Sequence, residues 1–182
     1  MTESQIDQAA SSAEEGKSFY GEKKYLQAAE AFCRAAEGYS NAGDSLLAAE
    51  MYNNQCVALL LAKKPRQALE AVQGTSEIFL KAGEVVKEGM ALANQATALK
   101  DLNEQEEAVR YFSVAAEKFQ AAGEQDLYLQ TMQSISSLKM KNRNIMGALF
   151  SMQSGLEALE KPTWRQKLLK RLLNLPNQFL GK

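Results

Sequence analysis

Histidine is absent from the 182 residues, and with it go the commonest general base and the commonest metal ligand. The 22 acidic residues supply carboxylate pairs. Glu14-Glu15 and Glu106-Glu107, however, are sequence neighbours that point to different sides of a helix and read as solvated. No D-x-D-x-D-G calcium loop, Cys or Ser nucleophile motif, or glycine-rich phosphate string of the G-x-x-x-x-G-K-[ST] or G-x-G-x-x-G type occurs. The expectation is a protein that is not an enzyme and takes no cofactor or metal. Cys33 and Cys56 have neither the density nor the spacing of a disulfide framework or zinc site, so both read as buried, reduced thiols. No segment approaches the roughly 20 apolar residues of a membrane span, and the opening MTESQIDQAASSAEEGKSF has no basic patch leading into an apolar stretch. The chain therefore reads as soluble and cytoplasmic.

Proline is scarce, at Pro65, Pro162 and Pro176, while Ala, Leu, Glu, Gln and Lys abound. These residues enter helix at little cost, which favours helix nearly throughout. With 46% hydrophobic residues the chain can bury a substantial core as one folded region.

Laid against itself, the sequence repeats. Ala42-Gly43-Asp44, Ala82-Gly83-Glu84 and Ala122-Gly123-Glu124 recur at an offset of 40, as do Ala28, Ala68, Ala108 and Ala148. Residues 21–60 and 61–100 share 13 identities in 40 positions, where usual residue frequencies give about two or three. Glu37, Glu77, Glu117 and Glu157 follow the same spacing, as do the large apolar Tyr39, Phe79, Phe119 and Leu159; the glutamates are read as making repeat-stabilising contacts. Such a period marks stacked supersecondary units.

The 3.6-residue periodicity runs twice between punctuation marks, so each unit is expected to hold two helices. Within 46–61 the apolar Leu46, Ala49, Met51, Tyr52, Cys56, Leu59 and Leu60 cover more than one face, as a helix between neighbours requires. Pro65 suits the first turn of the next helix, with Ala68, Leu69 and Val72 as its buried stripe. Gly43, Gly83 and Gly123 suit left-handed positions just past a helix end.

Ala28, Ala68, Ala108 and Ala148 are each followed four residues on by Phe32, Val72, Phe112 or Met152, and three further by Ala35, Thr75, Ala115 or Gly155. Gly16, Cys56, Ala96 and Ser136 form a second small-residue series, with Phe19, Leu59 and Leu99 three residues on and Lys139 breaking the pattern. These series resemble the two helices of the tetratricopeptide repeat. The resemblance covers about residues 5–161 and implies an all-α, right-handed α-solenoid of four units, about 5–44, 45–84, 85–124 and 125–161, closed by a capping helix at 162–182. The 40-residue unit is a turn longer per helix than the usual repeat. AAEAFCRAAE at 28–37 and EEAVRYFSVAAEKF at 106–119 look similar to the soluble NSF attachment proteins.

The resemblance further implies a concave groove lined by the first helix of each unit, suited to a scaffold or adaptor that holds a peptide or helical partner. Carried over by position, the lining is Ala13, Glu14 and Lys17, then Glu50, Asn53, Asn54 and Val57, then Met90, Asn94 and Thr97, then Gln130, Gln133, Ser134 and Ser137. Asn54 and Asn94 stand out, because an amide can pair with both polar groups of a peptide backbone. The alternative is two inherited, solvated asparagines. Only Lys17, Asn54 and Asn94 match the cations and amides with which some relatives clamp a C-terminal carboxylate, so that specialised clamp is not expected. The groove reads as polar and nearly neutral.

The last 22 residues, from Lys161, carry six basic side chains and no acidic one, leaving 15 basic against 22 acidic residues before them. Pro162 and Thr163 can start a helix with Trp164, Leu168, Leu169, Leu172, Leu173 and Leu175 on an apolar side and Lys167, Lys170 and Arg171 opposite. The first reading is a cap over the fourth unit. A basic amphipathic helix on an anionic membrane, in a peripheral or vesicle-trafficking component, is the alternative, and a tail docked on an acidic partner or in the chain's own groove is a third. Nucleic acid is not an expected partner at a net charge of −1. Both monomer and dimer stay open.

Overall fold

A computed structural model describes residues 3–179. The chain divides into two compact units, Met1–Tyr111 and Phe112–Lys182. The described residues are all-α: α1 (Glu3–Gly21), α2 (Tyr25–Asn41), α3 (Ser45–Leu61), α4 (Pro65–Val72), α5 (Thr75–Ala82), α6 (Val85–Asp101), α7 (Gln105–Ala122), α8 (Gln125–Lys141), α9 (Ile145–Glu157) and α10 (Trp164–Phe179). The second helices of successive repeats start at residues 25, 65, 105 and 145, and first helices at 45, 85 and 125. The 40-residue period is therefore a structural period.

Seven of the turns between helices close in the same way, the α4–α5 break and the α9–α10 connector being the exceptions. The Asp44, Glu84 and Glu124 amides donate to the carbonyls of Tyr39, Phe79 and Phe119 at 2.9 Å, with Gly43, Gly83 and Gly123 at φ +80, +74 and +76. This is the six-to-one bond of a Schellman motif, whose left-handed residue is most often glycine. The turns between the two helices of one repeat use the same bond, from Lys24 to Phe19, Lys64 to Leu59, Glu104 to Leu99 and Asn144 to Lys139. There the left-handed residue is Lys23, Lys63, Asn103 or Arg143, at φ between 59 and 68. Of these only Asn103 belongs to the residue types that tolerate the region well. One first helix and one second helix gain side-chain caps besides: Asp44 Oδ1 accepts from Leu47 N at the start of α3, and Asn144 Oδ1 accepts from Gly147 N at the start of α9, both at 2.9 Å.

The first unit packs an alanine-rich core. Ala28, Ala35, Ala49, Ala58 and Ala68 are fully buried, and Phe32, Tyr39, Val72 and Phe79 fill the space the alanines leave. Gly16 shows why the small positions are small: a Cβ there would sit 2.7 Å from the Phe32 ring. The α3 faces bury Ala48, Ala49, Met51, Asn53, Cys56, Ala58 and Leu59, in agreement with a helix packed on several sides. Pro65 occupies the first turn of α4.

The second helix of the second repeat is not one helix. Gln73 is extended, at φ −62 and ψ 130, and Gly74 turns left-handed at φ +80. The Thr75 hydroxyl donates to the Val72 carbonyl at 2.8 Å, satisfying an acceptor the break would otherwise orphan. The expectation of two helices per unit is thus corrected there to three. Its cause is local: Gly74 stands where the other repeats have Arg34, Val114 and Ser154.

In the second unit α8 and α9 pair closely. Ser136 Oγ donates to the Ala148 carbonyl at 2.8 Å, and Lys139, at the usual large apolar position, is instead bonded to Ser151 Oγ at 3.0 Å. The Glu160 amide donates to Gln125 Oε1 at 3.0 Å, which fixes the connector leaving α9.

Candidate functional site

In the first unit α3 and α6 lie side by side, running in the same direction, and two side-chain links set their register. Lys87 Nζ sits 2.5 Å from Glu50 Oε1, and Asn94 Nδ2 donates to Asn53 Oδ1 at 2.9 Å. The pairs are 37 and 41 residues apart, which is the repeat length less three and plus one. Each link therefore joins neighbouring positions of adjacent units. Lys87 also lies 3.7 Å from Glu84. The hydrogen bond to Glu50 is the main reason that its ammonium is held above the usual lysine range. Sequence reading misses Lys87; the signal that finds it is an opposite charge about one repeat from Glu50.

The register leaves two stripes beside each other. Glu50, Asn54 and Val57 on α3, and Met90, Asn94 and Thr97 on α6, each follow i, i+4, i+7 spacing, which puts a stripe on one helix face. Glu50, Asn54, Val57, Asn94 and Thr97 are half-buried, and Met90 is exposed. Asn94 keeps its amide oxygen as an acceptor, while the Thr97 hydroxyl is committed to the Ala93 carbonyl at 2.8 Å. Asn53 is buried and serves as the acceptor that fixes Asn94, so its expected lining role becomes a supporting one. Ala13 is buried in the core.

The remaining expected residues are not brought to these stripes by any described contact. Lys17 on α1 is exposed and bonded to Glu14 at 2.6 Å, which raises its pKa, chiefly through that hydrogen bond. Gln130, Gln133 and Ser134 lie on α8 in the second unit, where Gln130 and Gln133 are exposed and the Ser134 hydroxyl is bonded to the Gln130 carbonyl at 3.1 Å. Glu37, Glu77 and Glu157 bond within their own helices, to Cys33, Ser76 and Gln153.

On the other side of the same helices the first unit carries two clefts. One, of about 510 Å³, is lined by residues including Leu26, Glu30, Cys33, Gln55 and Leu59. The other, of about 460 Å³, is lined by residues including Arg66, Glu70, Gln73, Gln95 and Leu99. The second set is the first moved by 40 residues, so the clefts are a product of unit stacking. Cys33 is half-buried, not buried as expected; its thiol is pushed up mainly by burial and then by the charge of Glu37. Cys56 is fully buried, and burial pushes its thiol up to about 12.

The C-terminal helix departs most from expectation. Among its described side chains Gln166, Lys170, Leu173 and Asn174 are half-buried, and Gln153 on α9 donates to Asn174 Oδ1 at 3.0 Å. Trp164, Leu168 and Leu172 are 69%, 51% and 54% exposed. Among the described side chains the half-buried face is mostly polar and is bonded to α9 through Asn174, while Trp164, Leu168 and Leu172 face solvent, so this apolar line does not cover the fourth repeat. Ile145, Met146 and Phe150 on α9 remain exposed. Lys167 and Arg171 are exposed, but Lys170 belongs to the docked face. The Leu175 side chain and residues 180–182 lie outside the described residues.

Paired antiparallel-type helices recurring every 40 residues, with polar stripes on the first helices, define an α-helical repeat protein of tetratricopeptide type. The chain belongs to the soluble NSF attachment protein family: the model of that family, described as "Soluble NSF attachment protein, SNAP", matches residues 2–157. The family is one of non-enzymatic, trafficking-related helical adaptors. The match ends on the last residue of α9 and does not include α10. No curated protein matches the chain. No helix among the described residues is long and apolar enough to cross a membrane.

Proposed function

We propose that the protein is a non-catalytic adaptor that docks a segment of a protein partner along the twin stripes of α3 and α6. The observation that carries this reading is the fixed register of the stripes, held by the Asn94–Asn53 and Lys87–Glu50 links. Ordering costs of binding fall when the receiving groups are already in place. Asn54 and the free oxygen of Asn94 offer hydrogen bonds to a partner's backbone, and Met90 offers an adaptable apolar contact. The family takes its name from attachment to NSF, so a protein is the class of occupant the reading adopts. Lys17 adds to the recognition surface of the first unit in this proposal, Gln130, Gln133 and Ser134 on α8 offer a separate polar face in the second unit, and the chain works in the cytoplasm.

The test is capture from native extract by the tagged protein and by a variant combining Asn54→Ala with Met90→Glu. Both side chains reach solvent, so the variant is expected to melt like the parent and to lose the captured protein at least tenfold. Equal capture by both proteins would exclude these stripes as the docking surface.

A further inference from the structure

We propose that α10 is an interfacial helix that lays the protein on an anionic lipid bilayer. It goes beyond the adaptor reading, uses none of the α3 and α6 residues, and concerns a helix outside the family match.

The helix has its own start. The Thr163 amide donates to Gln166 Oε1 at 2.7 Å, and the Gln166 amide donates to Thr163 Oγ1 at 3.4 Å. This reciprocal pair is a capping box, so the first turn does not depend on burying apolar surface to form. The second unit then holds the helix by its Gln166, Lys170, Leu173 and Asn174 face. That choice sends the line Trp164, Leu168, Leu172, spaced four residues apart, outward.

The cations complete the pattern. By the 3.6-residue turn, Arg171 and Lys167 fall on one flank of the line and Arg165 on the other. All three are exposed, and Arg165 also lies over the Trp164 ring, 5.3 Å from its centroid. From Lys161 onward the sequence has six basic residues and no acidic one, while the residues before it carry an acidic excess. A planar surface can take up the apolar line and both cationic flanks at once. In an anionic bilayer the apolar side chains enter the boundary between headgroups and acyl chains while the cations meet the phosphates, as basic interfacial helices do. Tryptophan at one end suits the same boundary.

Trp164 is the only tryptophan, so its emission reports the contact directly. The full chain is mixed with vesicles of phosphatidylcholine alone or with an equal part of phosphatidylglycerol. A blue shift and co-sedimentation are expected with the anionic vesicles, with both reversed by high salt. Leu168→Glu with Leu172→Glu is expected to abolish both signals. Arg165→Gln with Lys167→Gln and Arg171→Gln is expected to weaken partition about a hundredfold, at roughly fivefold per cation. All five positions are exposed, and unchanged circular dichroism and melting show that the variants fold. An unshifted emission with anionic vesicles, or an equal shift with neutral ones, would overturn the proposal. So would a concentration-dependent shift without lipid, which would assign the line to a second copy of the chain.

Discussion

Asn94 uses amide hydrogens on a buried neighbour, and this separates it from Asn54, its counterpart one repeat earlier. Removing Asn94 strands the Asn53 oxygen, so Asn94→Ala is expected to cost about 1–3 kcal/mol. In a thermal melt that is a drop of several degrees. Asn54→Ala is expected to leave the melt unmoved, and equal shifts from the two variants would contradict the register described for α3 and α6. The sequence shows the two asparagines as equals because it shows the 40-residue spacing; the offset of 41 that pairs Asn94 with Asn53 needs the helices side by side. The thiols divide in the same manner. Cys56, with burial pushing its thiol up to about 12, presents almost no thiolate at pH 8. Half-buried Cys33 is expected to react with a thiol reagent in the native protein, slowly because its own thiol is raised. Cys56 is expected to react only after unfolding, and Cys33→Ser should remove the whole native-state phase.

At the scale of elements, helix positions were legible because apolar spacing and punctuation repeat together. Pro65 and the three left-handed glycines stand where the sequence puts them. The left-handed lysines and arginine were not legible, since nothing in Lys23, Lys63 or Arg143 advertises positive φ. Their conformation is imposed by the six-to-one bond that ends each first helix. Lys63→Asn is therefore expected to raise stability by a few tenths to about 1 kcal/mol by relieving the backbone. Gly74→Ala should do the reverse by about 1 kcal/mol. A Cβ at Gly74 meets nothing within 4 Å, so that cost would isolate the backbone conformation from packing. Opposite signs for the pair in chemical denaturation would check both. The break between α4 and α5 was hidden because an isolated glycine in a helical pattern is often tolerated.

For the whole chain, amphipathic periodicity showed that α10 has an apolar side but not which side docks. Docking is decided by tertiary partners: here Gln153 meets Asn174, and the mostly polar face faces inward. Among the described side chains of α10 only Leu173 is apolar and half-buried, so a chain ending after Lys161 is expected to stay soluble and to melt within about 2 degrees of the parent. Precipitation, or a large fall in melting temperature, would restore the capping role that the charge and leucine pattern first suggests. The adaptor surface was legible in part: the stripes on α3 and α6 follow from repeat position, whereas the ties that hold them do not.

The identical closure of the turns at Lys23 and Lys63 carries a consequence for rebuilding this chain. Residues 24–63 begin and end at the same point of the same bonded turn, so the block has matching ends. A gene with this segment copied in tandem would splice one helix terminus to its duplicate without altering the local backbone path. The array could then be lengthened by whole modules, each bringing a further cleft and a further α3-like stripe, and solubility with a proportional gain in helical circular dichroism would mark success.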